Sequence, residues 1–228
     1  MADLPKMNRR AMLQTGLGAG LGTLATGALA AGFLPAVRPA EGCETPAQIE
    51  GPFFPTRPRT DSDADLTRVR GRTDRAAGVV IAVSGQVLDE ALRPVAGALV
   101  DVWQANTHGR YDHDSDPNPA ALDPAFQGSA QLRTNAEGRY GFTTIVPGAY
   151  PASETWTRPP HVHFKVARRG YHELVTQMYV AGHALNAADR LLQAVPANER
   201  DRLVVAFAEP GPDGVRRGVF NIVIQRVA

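Results

Sequence analysis

Cysteine is nearly missing from this chain. Cys43 stands alone, so no disulfide can close within one molecule. An excess of either charge is missing as well. Lysine and arginine number 24 against 23 aspartates and glutamates, and four of those cations with a single acid lie in the first 38 residues. The remainder is close to neutral, which argues against a nucleic-acid or membrane-surface partner. Helical periodicity is scarce: only Ala187–Ala194 shows it, with Asn186 placed as a cap. There is no internal repeat and no sign of a second folded domain. Two motif-like stretches lack what their chemistry needs. Gly16-Leu17-Gly18-Ala19-Gly20 follows no strand and completes no dinucleotide-binding register. Asp61-Ser62-Asp63-Ala64-Asp65 opens like a calcium loop, but Leu66 replaces the turn glycine and Arg72 the closing glutamate. It reads as a solvated loop.

What is present begins with an address. Arg9-Arg10 stands just before the moderately apolar run Thr15–Leu34, and Ala28-Leu29-Ala30 offers a small-x-small cleavage site. A basic head followed by such a run is a secretory signal, and paired arginines point to the twin-arginine route. Residues 1–34 are therefore expected to be an export signal, with the protein periplasmic or extracellular. Residues 35–45 are rich in proline and alanine and read as a linker, and 46–228 as the folded domain. Ala40-Glu41-Gly42 before Cys43 is a poor match to a lipidation site.

Twenty-two glycines and 18 prolines suit a turn-rich β protein. Strands are expected at Val79–Val83 continuing through Gly85–Asp89, at Ala98–Trp103, and at Gln131–Thr134 and Arg139–Thr144 around the turn Asn135–Gly138. Further strands are expected at Val162–Ala167, Leu174–Val180, Arg202–Phe207 and Val219–Val227. Many short strands with closely spaced turns predict an all-β fold. The expected form is an immunoglobulin-like or transthyretin-like antiparallel β-sandwich with long loops and one short helix.

The chemistry gathers around His161-Val162-His163. Two histidines one residue apart on a strand project from one face and can close on one metal ion. Tyr111 and Tyr150 each sit in an expected loop, Tyr111 after Trp103–Arg110 and Tyr150 within Pro147–Pro151. Two phenols and two imidazoles make a coherent set, because phenolate is a hard, strongly donating anion that suits Fe(III). His108, His113, His172 and His183 read as loop or surface residues.

Motifs through the chain then carry a resemblance. They are Ile49-x-Gly51-Pro52-Phe53-Phe54, Trp103-Gln104-Ala105-Asn106-x-x-Gly109-Arg110-Tyr111 and Leu122-Asp123-Pro124-x-Phe126-x-Gly128. Gly138-x-Tyr140-x-Phe142-x-Thr144, Pro147-Gly148-x-Tyr150-Pro151, Arg158-Pro159-x-His161-Val162-His163-Phe164 and Thr176-Gln177-x-Tyr179 follow in order. Together they resemble the intradiol ring-cleavage dioxygenases, closest to the protocatechuate 3,4-dioxygenase type. The resemblance implies a non-haem Fe(III) held by Tyr111, Tyr150, His161 and His163. It implies a catechol-type aromatic substrate and O2, with ring opening between the two hydroxyl carbons to a cis,cis-muconate-type diacid. Tyr150 matches the ligand that leaves and doubles as a base, Arg158 the cation that meets developing negative charge, and Gln177 a pocket residue near the reacting carbon. Ile49, Gly51 and Pro52 match a wall of the substrate pocket. Ala152 departs from the protocatechuate type, which carries a tryptophan there, and the loop from Tyr150 to Arg158 is shorter. A wider pocket, or a substrate other than protocatechuate, is expected. Those enzymes pair two different subunits, and a homo-oligomer stays open for this single chain.

Two other readings compete. Gly85-x-Val87, Pro94-Val95-x-Gly97-Ala98 and Thr134-Asn135-x-x-Gly138-x-Tyr140-x-Phe142 also resemble transthyretin-like and carboxypeptidase-regulatory-like modules, which catalyse nothing. Those lack the Tyr-Tyr-His-His set, so the site decides rather than the fold. A cupin would need a glutamate where Ala167-Arg168 stand, and a zinc hydrolase rarely uses two phenolates.

Overall fold

The computed structural model describes residues 44–57 and 61–228. The expected export signal and the linker through Cys43 lie outside the described residues. The strands are β1 (Val80–Asp89), β2 (Leu99–Trp103), β3 (Ser129–Arg133), β4 (Arg139–Ile145), β5 (Tyr150–Ser153), β6 (Trp156–Arg158), β7 (His161–Ala167), β8 (Leu174–Val180), β9 (Val204–Val205), β10 (Arg216–Val219) and β11 (Ile222–Ile224). One α-helix, α1 (Arg190–Ala194), follows a 3-10 turn at Ala184–Ala188.

Two sheets carry the fold. In the first, β1 pairs antiparallel with β4 and parallel with β10 and then β11. In the second the order is β3-β2-β7-β8-β9, antiparallel except for the last pair. The all-β class is as expected, but the pairing is mixed rather than wholly antiparallel.

The run Val219–Val227 reads as one strand and is split in the structure. Phe220 N–H donates to Ser84 O at 2.8 Å, while the Asn221 side-chain oxygen accepts from Gln86 N–H at 3.0 Å. A side chain thus replaces a ladder acceptor at the handover from β10 to β11. Gly85 lies at this crossing, where a Cβ would stand 1.9 Å from Phe220 O, so any larger residue would push the strands apart.

Alternation sorts the side chains. From β7, Val162, Phe164 and Val166 enter the main core with Ile81, Val83 and Val87 of β1 and Val100 and Val102 of β2. Phe164 joins the sheets through ring contacts to Tyr140, Phe142 and Phe220, 6.1, 6.0 and 4.9 Å between centroids. Full burial of such a side chain contributes about 1.5–3 kcal/mol. His161 and His163, out of phase with those apolar residues, face the other side of the second sheet. Register aligns Trp103, His163 and Gln177 across β2, β7 and β8, with His161 opposite Tyr179 in a second row.

The segment from Thr45 to Phe54 runs along the free edge of β8 and then crosses that outer face, Gly51 passing over His163. Gln48 N–H donates to Val175 O, the Thr176 hydroxyl to Pro46 O, and Phe54 packs edge-on against Trp103. The short hairpin β5–β6 is a second addition, unmarked in the sequence; Tyr150 opens β5 and Arg158 closes β6, where a loop was expected. The expected strand Arg202–Phe207 shrinks to β9, because Arg200–Arg202 forms a 3-10 turn. The cap of α1 is Asp189 rather than Asn186. The Asp189 carboxylate accepts from Leu192 N–H at 2.9 Å, while the Asn186 amide donates to Val180 O.

Candidate metal centre

Two struts set the tyrosine loops. In the motif after β2, the Gln104 amide donates to Ile145 O at 3.0 Å and accepts from the Thr144 hydroxyl at 2.9 Å. The Asn106 side-chain oxygen accepts from His108 and Arg110 N–H, closing the turn that presents Tyr111. Asn106 O also accepts from Gly148 N–H at 2.9 Å, tying this turn to the one before Tyr150. Gly109 and Gly148 meet back to back, and a Cβ on Gly148 would stand 2.3 Å from Gly109 N. The glycines are therefore there for close approach, and the approach brings the two phenols together.

The four expected ligands converge. Tyr111 and Tyr150 pack edge to face at 5.6 Å, as do His161 and His163 at 4.9 Å, and Tyr150 lies tilted on His161 at 5.6 Å. The Tyr111 hydroxyl is 3.4 Å from His161 Nε2. All four residues are buried, Tyr150 being the most exposed at 8%. Trp103 stacks on His163 at 4.8 Å and 11°, and Phe53 packs on Tyr111 at 4.7 Å. A Cβ on Gly51 would lie 3.4 Å from His163 Cε1, so the Ile49–Pro52 wall passes directly over that imidazole. Ile49 and Pro52 themselves are exposed.

The protonation states suit metal ligation. The His161 Nδ1 edge is 2.7 Å from Pro159 O, an acceptor only. Nδ1 therefore carries the proton, and the Nε2 lone pair faces the phenols. Burial pushes the His161 pKa down to about 3, aided by the Arg158 charge. Burial, then His161 and Arg158, holds His163 well below its usual value. Both imidazoles are neutral donors at physiological pH. Burial raises the pKa of Tyr111, with Tyr150 adding to it, and burial likewise raises that of Tyr150. Two phenols resisting ionisation beside neutral imidazoles make an assembly that a multiply charged, hard cation would stabilise. Among the described residues no group of three or more His, Cys, Asp or Glu could hold a metal ion. A metal held here would need the phenol oxygens.

Arg158 borders the cluster and is buried at 3% exposure. Its Nη1 lies 3.3 Å from His161 Nε2. Its Nε donates to Asp189 Oδ2 at 2.9 Å, and its Nη2 to Gln177 Oε1 at 2.8 Å and to the Tyr179 hydroxyl at 2.9 Å. Burial opposes the charge, but the Asp189 contact turns the net pKa shift upward. Gln177 is spoken for at both ends, because its Nε2 donates to Ile49 O at 2.9 Å. It thus joins the pocket wall to the cation. Two guanidiniums meet the Trp156 ring, Arg158 at 5.4 Å and Arg190 at 5.3 Å from its centroid. A cavity of about 490 Å³ adjoins the cluster on the Tyr111 side, lined by Phe53, Trp103, Tyr111, His113, Leu122 and Phe126 among others. Tyr150, Arg158, His161 and Gln177 do not line it. Of the remaining histidines, His108 and His172 are exposed and His113 and His183 half-buried.

The profile of a family described as Dioxygenase matches residues 49–226. A curated relative, the protocatechuate 3,4-dioxygenase beta chain of Burkholderia cepacia, is 46% identical over 169 residues, 72% of each chain. The chain belongs to the intradiol ring-cleavage dioxygenases. Like others of that family it is an oxidoreductase. Catechol 1,2-dioxygenase 2 of Acinetobacter lwoffii is 35% identical over 152 residues, 60% of this chain and 52% of the relative. The intradiol chain thus spans about half the length of that enzyme. Among solved structures, the dioxygenase domain of a dioxygenase carbohydrate-binding protein fusion from Streptomyces sp. SirexAA-E is 33% identical, with a TM-score of 0.60. That match covers 81% of this chain and all of the other. An intradiol ring-cleavage dioxygenase from Tetranychus urticae shares the fold at 18% identity and a TM-score of 0.64, over 82% and 96% of the two chains.

Sequence motifs pointed to Tyr111, Tyr150, His161, His163, Arg158 and Gln177, and the structure gathers all six. Asp189 and Gln48 were missed. Their only sequence signal was position: Asp189 stands three residues before Leu192, at the start of the one helical stretch.

Proposed function

We propose that this protein is a non-haem iron intradiol dioxygenase that opens a catechol-type ring between its two hydroxyl carbons. The observation that carries the reading is the convergence of two buried phenols with two neutral imidazoles, bordered by a buried guanidinium. Tyr111, Tyr150, His161 and His163 would hold the metal. Bound there as Fe(III), it would draw electron density from a chelated catecholate and open the ring carbon to O2.

The chain's own residues set the rest. Tyr150, the more exposed phenol and the first residue of a short hairpin, is the ligand able to swing out and take a catechol proton. Tyr111, sandwiched beneath Phe53, stays in place. Arg158 Nη1 reaches the cluster, and a preorganised cation there stabilises negative charge as it develops on the ring. Ile49, Gly51 and Pro52, held by Gln177 and passing over His163, would wall the substrate site on the side away from the lining of the cavity beside Tyr111. Ala152 on β5 is exposed, and in place of the tryptophan of the protocatechuate type it would leave room for a ring substituent. We propose further that residues 1–34 direct export by the twin-arginine route, which places the activity outside the cytoplasm.

Incubation of iron-loaded protein with catechol and ¹⁸O₂ tests the function. A ring-opened diacid with one ¹⁸O in each carboxyl group is expected. An unchanged catechol, or a product cleaved outside the diol, would overturn it.

A further inference from the structure

Asp189 has no part in the ligand set, yet it is completely buried and carries a negative charge. Such a group is costly unless paired, and its partner is Arg158. The pair is two-pronged: Nε lies 2.9 Å from Oδ2 and Nη2 3.3 Å from Oδ1. The same carboxylate caps α1 through Leu192 N–H at 2.9 Å, so its own position is fixed by the backbone. The Tyr179 hydroxyl adds a further brace, lying 2.9 Å from Arg158 Nη2, 3.4 Å from Asp189 Oδ1 and 3.0 Å from Gln48 Oε1.

Counting donors shows what this achieves. A guanidinium has five N–H groups in a rigid fork. Asp189, Gln177 and Tyr179 take those on Nε and Nη2. Only Nη1 is left, and it is the nitrogen that reaches the cluster at His161. Without the carboxylate the fork could rotate about its stem, and among the described residues no second ion pair to Arg158 would return it.

We infer that Asp189 is a positioning residue for the ring-cleavage reaction, acting only through the orientation of the Arg158 guanidinium. The inference rests on the role proposed for Arg158. The test is a double-mutant cycle on the iron-loaded enzyme with Asp189→Asn, Arg158→Gln and the pair combined. Asparagine is as good a helix cap as aspartate, so Asp189→Asn removes the charge and spares α1. Asp189→Asn is expected to lower kcat tenfold or more, with KM for catechol, iron content and the resting visible band unchanged. Adding it to Arg158→Gln is expected to cost no further activity. The melting temperature of the metal-free proteins gives a second readout. Arg158→Gln strands a buried carboxylate and should melt early, and the double variant should recover part of that loss.

Additive losses of kcat would show that Asp189 acts elsewhere and would overturn the inference. So would wild-type kcat in Asp189→Asn. Full turnover by Arg158→Gln would instead remove the proposed role of Arg158 on which the inference stands. Where Asp189→Asn alone fails to fold, Arg158→Gln and the double variant carry the test: equal kcat supports the inference and a further tenfold loss overturns it.

Discussion

Substituting Gly109 by alanine should separate stability from site geometry. Gly109 has φ of 77°, and a Cβ there would stand 2.4 Å from Ala149 O and 3.1 Å from Tyr150 Cβ. The left-handed backbone alone costs alanine about 1–2 kcal/mol. The oxygen contact is roughly 1 Å inside normal separation, and overpacking of this kind adds about 1–3 kcal/mol. A loss of about 3 kcal/mol or more corresponds to a Tm lower by about 6–12 °C in a chain of this size. Relief requires the Ala149–Tyr150 backbone to retreat by a similar fraction of an ångström to 1 Å. Metal sites tolerate only about 0.2 Å in ligand distance, so iron retention should fall as well. Gly128→Ala is the control: φ is 72°, but nothing lies within 4 Å of the added Cβ. It should pay only the backbone cost, about 1–2 kcal/mol, and bind iron normally. Thermal melts of the metal-free proteins and iron stoichiometry after reconstitution are the assays. If the two variants melt together and both load iron fully, the packing of Gly109 against Tyr150 does not position the ligand.

The remaining predictions concern charge, a buried hydroxyl and the pocket wall. Folded His161 and His163 have lowered pKa values, so the unfolded chain binds their protons first as pH falls below about 6.5. Metal-free stability should be level in this respect above pH 7. It should fall from about pH 6.5 toward 3, with a slope approaching about 2.7 kcal/mol per pH unit when both histidines contribute. A Tm that stays level from pH 6.5 to 5 would contradict neutral imidazoles. Tyr140→Phe removes a buried hydroxyl that donates to Phe220 O at 2.5 Å, and should cost about 1–3 kcal/mol in denaturant melts without altering turnover. Ala152→Trp should lower kcat/KM for ring-substituted catechols more than for catechol itself; equal losses would place residue 152 away from the substrate.

The ligands were legible because their signal is local. His161-Val162-His163 needs only strand alternation to put both imidazoles on one face, and Tyr111 and Tyr150 stand in motifs whose glycines and amides build their turns. The sandwich was legible for the same reason, since Val162, Phe164 and Val166 alternate with the ligands. The hairpin Tyr150–Arg158 was not, because Pro151–Thr155 is exposed and carries no apolar alternation. The break at Phe220–Asn221 was hidden because a side-chain acceptor, rather than a turn residue, interrupts the ladder. Asp189 was hidden for a different reason. Its partner Arg158 is 31 residues away, and only the tertiary fold brings the start of α1 beside the end of β6.

The most direct measurement is a visible absorption spectrum of the iron-reconstituted protein, taken before and after anaerobic addition of catechol, alongside Tyr111→Phe and Tyr150→Phe. Two phenolates on Fe(III) should give a broad charge-transfer band that weakens in each variant and moves to longer wavelength when catechol binds. A protein that takes up stoichiometric iron yet stays colourless, or whose band is indifferent to both tyrosines, would contradict the assignment of Tyr111, Tyr150, His161 and His163 as the metal centre.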